Sequence, residues 1–204
     1  MAEAHENEDG PERSAQPGGA VPSRGWRLAR SVVLVGLMGA GKTSVGHRLA
    51  SRLQAPFVDS DAEIETAAGM SIPDIFRLHG EPAFRDGERK VIARLIGEGP
   101  QVLATGGGAF MDPETRALID SSAISVWLKA DLDTLVARTA GRSHRPLLAT
   151  GDPRAILADL IETRYPVYAE ARLAVESRAG QAHEAMVERI VQALESVPGT
   201  LEAV

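Results

Sequence analysis

The feature that most constrains the fold of this 204-residue chain is a glycine-rich loop, GLMGAGKT at 36–43. It matches the pattern G-x-x-x-x-G-K-[ST], follows an apolar β-branched run at 31–36, and precedes a helical pattern over 42–53. In such a loop the backbone N–H groups cradle phosphate, and the N-terminus of the helix favours negative charge. The sequence therefore predicts a nucleoside triphosphate site formed by Gly39, Ala40, Gly41, Lys42, Thr43 and Ser44.

Polar residues of the loop and of the next strand end predict the chemistry of the site. Lys42 supplies a cation for the β- and γ-phosphates, and Thr43 offers a hydroxyl to Mg²⁺. Asp59 and Asp61 follow the short strand pattern at 56–59. One carboxylate is suited to the Mg²⁺ shell through water, and the other to a substrate hydroxyl. The alternative is that the pair caps a helix.

Strand and helix patterns alternate along the chain and predict an α/β fold. Such alternation gives a parallel sheet of about five strands with helices on both faces. The carboxyl ends of parallel strands lie at one edge of the sheet, so Gly36, Asp59 and Gly106 are expected to converge there. The predicted strands are 31–36, 56–59, 101–104, 123–128 and 173–176. The predicted helices are 42–53, 61–68, 71–79, 81–96, 112–119, 131–139, 152–165 and 181–195.

Composition sets the domain boundaries and excludes several classes of protein. The composition predicts a disordered acidic extension at 1–28, a single domain at 29–196 and a C-terminal tail at 197–204. The absence of cysteine excludes disulfides and thiolate sites and fits a reducing compartment, so we predict a cytoplasmic protein. The net charge of −6 argues against nucleic acid as a partner, and no apolar stretch is long enough to suggest a membrane span.

Glycines and arginines outside the phosphate loop point to an anionic acceptor. Gly106, Gly107 and Gly108 follow a strand and permit close backbone approach by a ligand; a merely flexible turn is the alternative. Arg85 and Arg164 suit a carboxylate, because the guanidinium fork binds it with two hydrogen bonds. Considered alone, Arg85 is typical of a surface ion pair with Glu88, and Arg164 is typical of a cation at a helix end.

The polar segment at 140–151 predicts a mobile loop, and it contains Arg145. An arginine on such a loop can close over phosphates and stabilise charge in the transition state. The alternative is an arginine that is simply solvated.

Taken together, these motifs resemble the shikimate kinase family over about residues 30–195. The resemblance rests on GLMGAGKT at 36–43, DSD at 59–61, FR at 84–85 with Glu88, GGG at 106–108, RPLL at 145–148 and RYPVY at 164–168. It implies ATP-dependent phosphorylation of the 3-hydroxyl of shikimate, on the route to chorismate and aromatic amino acids. It also implies a P-loop fold like that of nucleoside monophosphate kinases, with strand order 2-3-1-4-5, a substrate-binding region at about 60–95 and a lid at about 140–151.

The resemblance also implies a role for each matched residue. Asp61 would bind substrate hydroxyls and act as the candidate base, while Asp59 would lie in the outer Mg²⁺ shell. Lys42, Asp61 and Arg145 would be the catalytic residues. The ATP-binding set would add Arg138, Arg145 and Gln181 to the phosphate loop, and shikimate would contact Asp61, Arg85, Gly106, Gly107, Gly108 and Arg164.

Two other functions remain open at this point. A gluconate kinase-like enzyme would carry a similar phosphate loop and hydroxy-acid site, and a non-catalytic nucleotide-binding module would carry the loop alone. We expect a monomer that binds ATP and shikimate. The acidic extension lies outside the family pattern.

Overall fold

The computed structural model of the chain describes residues 25–140 and 151–204. Most of the predicted extension (1–24) and of the predicted lid (141–150, with Arg145) therefore lies outside the described residues. The strands are β1 Trp26–Leu28, β2 Val32–Val35, β3 Phe57–Asp59, β4 Val102–Ala104, β5 Ile124–Lys129, β6 Leu173–Glu176 and β7 Leu201–Ala203. The helices are α1 Lys42–Arg52, α2 Ser60–Ala68, α3 Ile72–Gly97, α4 Pro113–Ser122, α5 Leu132–Thr139, α6 Pro153–Tyr168 and α7 His183–Glu195, with a short 3₁₀ turn at Ala109–Met111.

Five parallel strands form the central sheet in the order β3-β4-β2-β5-β6. Numbered among themselves along the chain, these strands have the order 2-3-1-4-5, and the predicted α/β P-loop fold is confirmed. Strand β2 occupies the middle and is buried on both faces, in register with β4 through Leu34 and Ala104 and with β5 through Leu34 and Val126. The ends of β2 and β4 are therefore side by side.

Helices cover the two faces of the sheet, as the handedness of parallel crossovers requires. Helix α1 packs against α7, whereas α3 packs against α4 and α5 packs against α6. The core between these layers is aliphatic and includes Leu49, Ile92, Leu128 and Ile190, none of which is exposed. A second, smaller cluster of Ile64, Ile75 and Phe84 joins α2 to α3. This cluster fixes the helices that carry the candidate acceptor residues.

Two helices differ in detail from their sequence patterns. Gly80 interrupts α3 with a φ of 77°, so this element is two helices across a kink, close to the two separate patterns predicted. Helix α6 was predicted to end near Tyr165, because a residue before proline avoids helical dihedrals. That boundary is wrong: Pro166 lies inside the helix, which continues to Tyr168. The side chain of Tyr168 is fully buried, and this packing favours the final turn despite the proline.

The two ends of the described chain pair with each other. Strand β1 is antiparallel to β7, with Trp26 opposite Ala203 and Leu28 opposite Leu201. The predicted limits of disorder at residue 28 and of a tail from 197 were therefore wrong for these two segments. Neither three-residue segment has a strong strand pattern alone, and each is held by hydrogen bonds to the other and by the buried side chain of Leu28.

Glycines in two helices provide a test of this packing. A Cβ at Gly46 would lie 2.4 Å from Phe57 Cε2 and 3.2 Å from Leu34 Cδ1, whereas a Cβ at Gly87 meets nothing within 4 Å. Alanine stabilises a helix interior by about 0.5–1 kcal/mol over glycine, and overpacking costs about 1–3 kcal/mol. We expect Gly87→Ala to raise the free energy of unfolding and Gly46→Ala to lower it, as measured by urea denaturation. Equal gains for both variants would contradict this contact between helix and sheet.

Candidate active site

The phosphate loop connects β2 to α1 and adopts a conformation that depends on glycine. Gly39 and Gly41 have φ angles of 84° and 98°, in the left-handed region where a side chain is strained. Lys42 folds back over the loop, and its Nζ donates to the carbonyl oxygens of Gly36 at 2.7 Å and Leu37 at 3.1 Å. The amine is therefore held beside the N-terminus of α1.

Asp59 connects this loop to the next strand end. Thr43 Oγ1 donates to Asp59 Oδ2 at 3.2 Å, and the backbone N–H of Asp61 donates to Asp59 Oδ1 at 3.1 Å. Asp59 thus caps α2 and at the same time faces the threonine predicted to bind Mg²⁺. The capping and metal interpretations of this residue are compatible, because the two carboxylate oxygens have separate partners.

Asp61 is a partly buried carboxylate among charged neighbours. Burial raises the pKa of its carboxyl group above 3.8, and the negative charge of Asp59 raises it further. The charges of Lys42 and Arg85 act in the opposite direction. A Cβ at Gly106 would lie 2.6 Å from Asp61 Oδ1, so only glycine at this position leaves the carboxylate its space.

Arg85 forms a partly buried ion pair at the end of β4. Its Nη1 lies 2.6 Å from Glu88 Oε2, and the Glu88 side chain is 2% exposed against 26% for Arg85. Glu81 contacts the same guanidinium at 3.2 Å. A Cβ at Gly108 would lie 2.5 Å from Arg85 Nη2, so the guanidinium packs directly against the backbone of Gly108. The alternative of an ordinary surface pair does not hold, because one partner is buried.

Arg164 approaches the same glycines from α6. Its Nη1 donates to the carbonyl oxygen of Gly107 at 2.9 Å, and the hydroxyl of Tyr168 donates to that oxygen as well. Arg85 and Arg164 both line a cavity of about 280 Å³, together with Glu81, Gly108, Met111 and Asp112. Two guanidinium groups in one small cavity suit a carboxylate ligand.

A second group of residues lies on the far side of the phosphate loop. Arg138 Nη1 donates to Ser177 Oγ at 2.7 Å, and its Nη2 donates to the carbonyl of Arg178 at 2.8 Å. Ser177 Oγ in turn donates to the carbonyl of Ala40 at 3.1 Å. Gln181 accepts from Arg189 at 3.2 Å in the same segment after β6. Gln181 Oε1 also accepts from the backbone N–H of Arg178 at 3.4 Å, so Arg138 and Gln181 share Arg178 as a partner.

These contacts bring together a triphosphate cradle, an acidic strand end and a cavity lined by arginines. A phosphoryl donor in the cradle would face Asp61, whose carboxylate can accept a hydrogen bond from a hydroxyl group. The arginines beyond it can hold an anionic substituent of the same acceptor. The arrangement fits phosphoryl transfer from a nucleotide to a small hydroxy acid.

Comparison with known proteins gives the family. The shikimate kinase family model matches residues 38–195, and a shikimate kinase of Paramagnetospirillum magneticum is 59% identical over 173 residues, covering 85% of this chain and 88% of that protein. The chain belongs to the shikimate kinase family. A shikimate kinase of Caulobacter vibrioides is 57% identical over 166 residues, covering 81% of this chain and 82% of its own length. The chain is therefore an ATP-dependent kinase.

Solved structures agree with this assignment. A shikimate kinase from Acinetobacter baumannii in complex with shikimate matches with a TM-score of 0.78 and 38% identity, covering 83% of this chain and 94% of that one. A gluconokinase from Sinorhizobium meliloti matches with a TM-score of 0.53 and 21% identity, which shows a shared fold alone. The gluconate kinase-like alternative thus has similarity of fold in its favour and no comparable similarity of sequence.

The structure gathers most of the predicted site residues of this shikimate kinase family member. The loop residues Gly39 to Ser44, Asp59, Asp61, Arg85, the three glycines and Arg164 lie along the carboxyl edge of the sheet; Arg145 lies outside the described residues. Sequence reasoning assigned no role to Ser177 or Tyr168. Ser177 gave no sequence signal, whereas Tyr168 is four residues after Arg164, a spacing that places two side chains on one helix face.

Among the helices of residues 25–140 and 151–204, none combines the length and the apolar character that a membrane span requires. The same part of the chain holds no group of three or more His, Asp or Glu side chains arranged for a metal ion. A Mg²⁺ ion bound with a nucleotide needs only one or two protein ligands, because phosphates and water supply the rest. The pair of Thr43 and Asp59 fits such an ion.

The raised pKa of Asp61 predicts a pH-dependent stability difference. A carboxyl group whose pKa is raised by folding contributes stability at pH values below its pKa in the unfolded chain. This contribution is lost as the pH rises through its pKa in the folded protein. At pH 7 the carboxylate is charged, and its burial costs free energy. Asp61→Asn removes this cost, so we expect the variant to raise the free energy of unfolding at pH 7. The gain should shrink as pH falls toward 3.8, the ordinary value.

Asp74→Asn is the matched control for this measurement. Hydrogen bonds from Arg77 and Ser71 lower the pKa of Asp74, so its charge stabilises the fold and is lost with acid. This variant should lower the stability at pH 7, with the opposite sign. Urea denaturation between pH 4 and pH 8 gives both curves, and a destabilised Asp61→Asn at pH 7 would refute the cost assigned to burying the Asp61 carboxylate.

Proposed function

We propose that the chain transfers the γ-phosphoryl group of ATP to the 3-hydroxyl of shikimate, giving shikimate 3-phosphate and ADP. The observation that carries the proposal is the position of Arg85 and Arg164 in one cavity at the strand ends. The neighbouring glycines approach the phosphate loop, since a Cβ at Gly107 would lie 3.6 Å from the Gly36 carbonyl oxygen. The cavity offers two forks for a carboxylate, and Asp61 offers an acceptor for hydroxyl groups. Shikimate has one carboxylate and three hydroxyls, so it matches this combination.

ATP would bind with its phosphates in the loop between β2 and α1. The N–H groups of Gly39 to Ser44 would face the β-phosphate, that of Ala40 after leaving the Leu37 carbonyl oxygen, and Lys42 would move from its carbonyl partners to the β- and γ-phosphates. Arg138 would flank the adenine, and Gln181 would make a further contact with the nucleotide. Thr43 would hold Mg²⁺ directly and Asp59 through water. When bound, Mg²⁺ neutralises charge that develops on the phosphates.

Shikimate would bind with its carboxylate between the two arginines. Glu88 and Glu81 orient the guanidinium of Arg85, and the carbonyl of Gly107 orients that of Arg164. The glycines at 106–108 permit the ring to approach the backbone closely, because no side chain projects from this strand end. Catalysis then consists chiefly of positioning, as in phosphoryl transfer generally.

The chemical step is a direct in-line displacement. The 3-hydroxyl oxygen attacks the γ-phosphorus while the bond from that phosphorus to the β–γ bridging oxygen breaks, and ADP carries the electron pair away. Asp61 accepts a hydrogen bond from the hydroxyl and takes its proton as the new O–P bond forms. Lys42 and, in our proposal, Arg145 of the predicted lid stabilise the charge on the transferred group.

The setting of this activity is also part of the proposal. The binding partners are the two small substrates, and a monomer supplies every residue named above. The cysteine-free composition suits a reducing compartment and so supports a cytoplasmic enzyme. The net charge of −6 argues against nucleic acid and anionic membranes as partners.

The deciding experiment is a coupled assay of ADP release with and without shikimate. We expect turnover that depends on shikimate and produces shikimate 3-phosphate. Gluconate and quinate serve as competing hydroxy acids, and neither should exceed about 1% of the shikimate kcat/KM, since a site built for specific hydroxyls rejects analogues strongly. Normal ATP binding without shikimate-dependent turnover would overturn the proposal and favour the non-catalytic module.

The role of Arg85 predicts a selective change in substrate affinity. Arg85→Lys keeps a positive charge beside buried Glu88 but removes the planar fork. One lost charge-assisted hydrogen bond is worth about 1.5–3 kcal/mol, so we expect the shikimate KM to rise about 10- to 100-fold. The ATP KM should stay within about twofold of the original value, since the fork contacts no part of the nucleotide site.

Arg94→Lys is the matched control, because this arginine of α3 pairs with Glu63 and Glu98 away from the cavity. Its shikimate KM should be unchanged. A rise in the ATP KM of Arg85→Lys, in place of the shikimate KM, would contradict the assignment of Arg85 to the acceptor.

The role of Asp59 predicts a change in the requirement for Mg²⁺. Asp59→Asn keeps the oxygen that caps α2 but removes the negative charge facing Thr43. Removing an outer-shell partner weakens metal binding about 10- to 100-fold, so the free Mg²⁺ concentration for half-maximal turnover should rise in that range. Asp152→Asn, which alters the cap of α6, is the control and should leave this concentration unchanged. An unchanged requirement in Asp59→Asn would remove Asp59 from the metal shell.

A further inference from the structure

Tyr168 lies beside the acceptor cavity yet has no role in the chemistry described above. Its side chain is fully buried, and its ring is near those of Trp127 and Phe110, with centroids 6.1 Å and 6.4 Å away. This packing fixes the direction of the phenol. Burial raises the pKa of Tyr168, so the group remains a neutral O–H donor through the range in which the enzyme would be assayed.

The hydroxyl of Tyr168 and the guanidinium of Arg164 meet at one carbonyl oxygen of the acceptor site. The hydroxyl donates to the carbonyl oxygen of Gly107, and the positive charge of Arg164 lies close enough to lower the pKa of the phenol against the larger effect of burial. Arg164 Nη1 donates to the same carbonyl oxygen at 2.9 Å. The carbonyl thus receives two donors, and each of the three groups restrains the other two.

The restraint on the Gly107 carbonyl extends to the next peptide N–H. In a planar trans peptide the carbonyl and the following N–H point in opposite directions, so fixing the oxygen of Gly107 also fixes the N–H of Gly108. Within the described ranges, the N–H groups of Gly107 and Gly108 donate to no protein acceptor. Both are therefore available to a ligand. Glycine peptides are the most easily rotated, so an external restraint has its largest effect here.

We propose that Tyr168 is a positioning residue for the acceptor substrate: its hydroxyl orients the guanidinium of Arg164 and the peptide of Gly107 for the shikimate carboxylate. This inference rests on the proposed function. Tyr168 contacts neither substrate, and it acts by lowering the conformational freedom that binding must otherwise remove.

The test compares two tyrosines of the same helix. Tyr168→Phe removes the hydroxyl and keeps the ring. Tyr165→Phe is the matched control, because the Tyr165 hydroxyl also donates to a backbone carbonyl, that of Ala130, which lies away from the glycines. Both variants lose one hydrogen bond to a carbonyl, so both should show a similar small fall in melting temperature.

The two variants should differ in substrate binding. We expect Tyr168→Phe to raise the shikimate KM about five- to tenfold, the effect of one lost hydrogen bond and a looser guanidinium, with the ATP KM within about twofold. Tyr165→Phe should leave both constants within about twofold. Titration calorimetry of shikimate binding should give the same five- to tenfold difference without turnover.

A double-mutant cycle tests whether Tyr168 acts through Arg164. In an Arg164→Lys background the fork is already lost, so adding Tyr168→Phe should change the shikimate KM less than it does in the original protein. Effects that multiply fully would overturn the positioning role, and so would equal shikimate KM values for Tyr168→Phe and Tyr165→Phe. If the unaltered protein neither binds nor turns over shikimate, the proposed function itself fails. Turnover by the unaltered protein with no Tyr168 effect overturns this inference alone.

Discussion

The parallel pairing of β2 with β4 and β5 is the constraint on which the rest of the structure depends. Parallel strands end at one edge of a sheet, and their crossover helices begin there. The register of Leu34 with Ala104 brings the phosphate loop beside the glycines that follow β4, and a Cβ at Gly107 would lie 3.6 Å from the Gly36 carbonyl. Donor and acceptor sites are therefore neighbours because two strands share hydrogen bonds.

The arginines at the carboxyl edge of the sheet are oriented by neighbouring groups, although the whole chain carries a net charge of −6. The buried carboxylate of Glu88 is paired with Arg85, and backbone carbonyls hold Arg138 and Arg164. Carbonyl partners leave the positive charge of a guanidinium largely uncompensated, whereas a carboxylate partner neutralises it. Arg138 and Arg164 are in this way oriented and keep their positive charge for anionic ligands, whereas Arg85 shares its charge with Glu88 and Glu81.

Much of the fold could be predicted from the sequence, because the signals were local. The apolar runs gave the five strands of the main sheet, and the change to helical spacing after each run gave the crossovers. The failures occurred where tertiary contacts outweigh local preference. Pro166 remains helical because Tyr168 is buried, and the segments around Trp26 and Leu201 become strands only by pairing with each other.

The sequence by itself determined the chemistry of the donor site and the identity of its residues, because the glycines, Lys42 and Thr43 lie within one short segment whose conformation is a local property. It determined the residue types of the acceptor site but not that these residues lie close together in space. Arg85, Gly108 and Arg164 lie on separate elements, and only the packing of α3 and α6 around the end of β4 brings them to one cavity. The link from Tyr168 to Gly107 is likewise a product of tertiary structure, since a spacing of 61 residues carries no local signal.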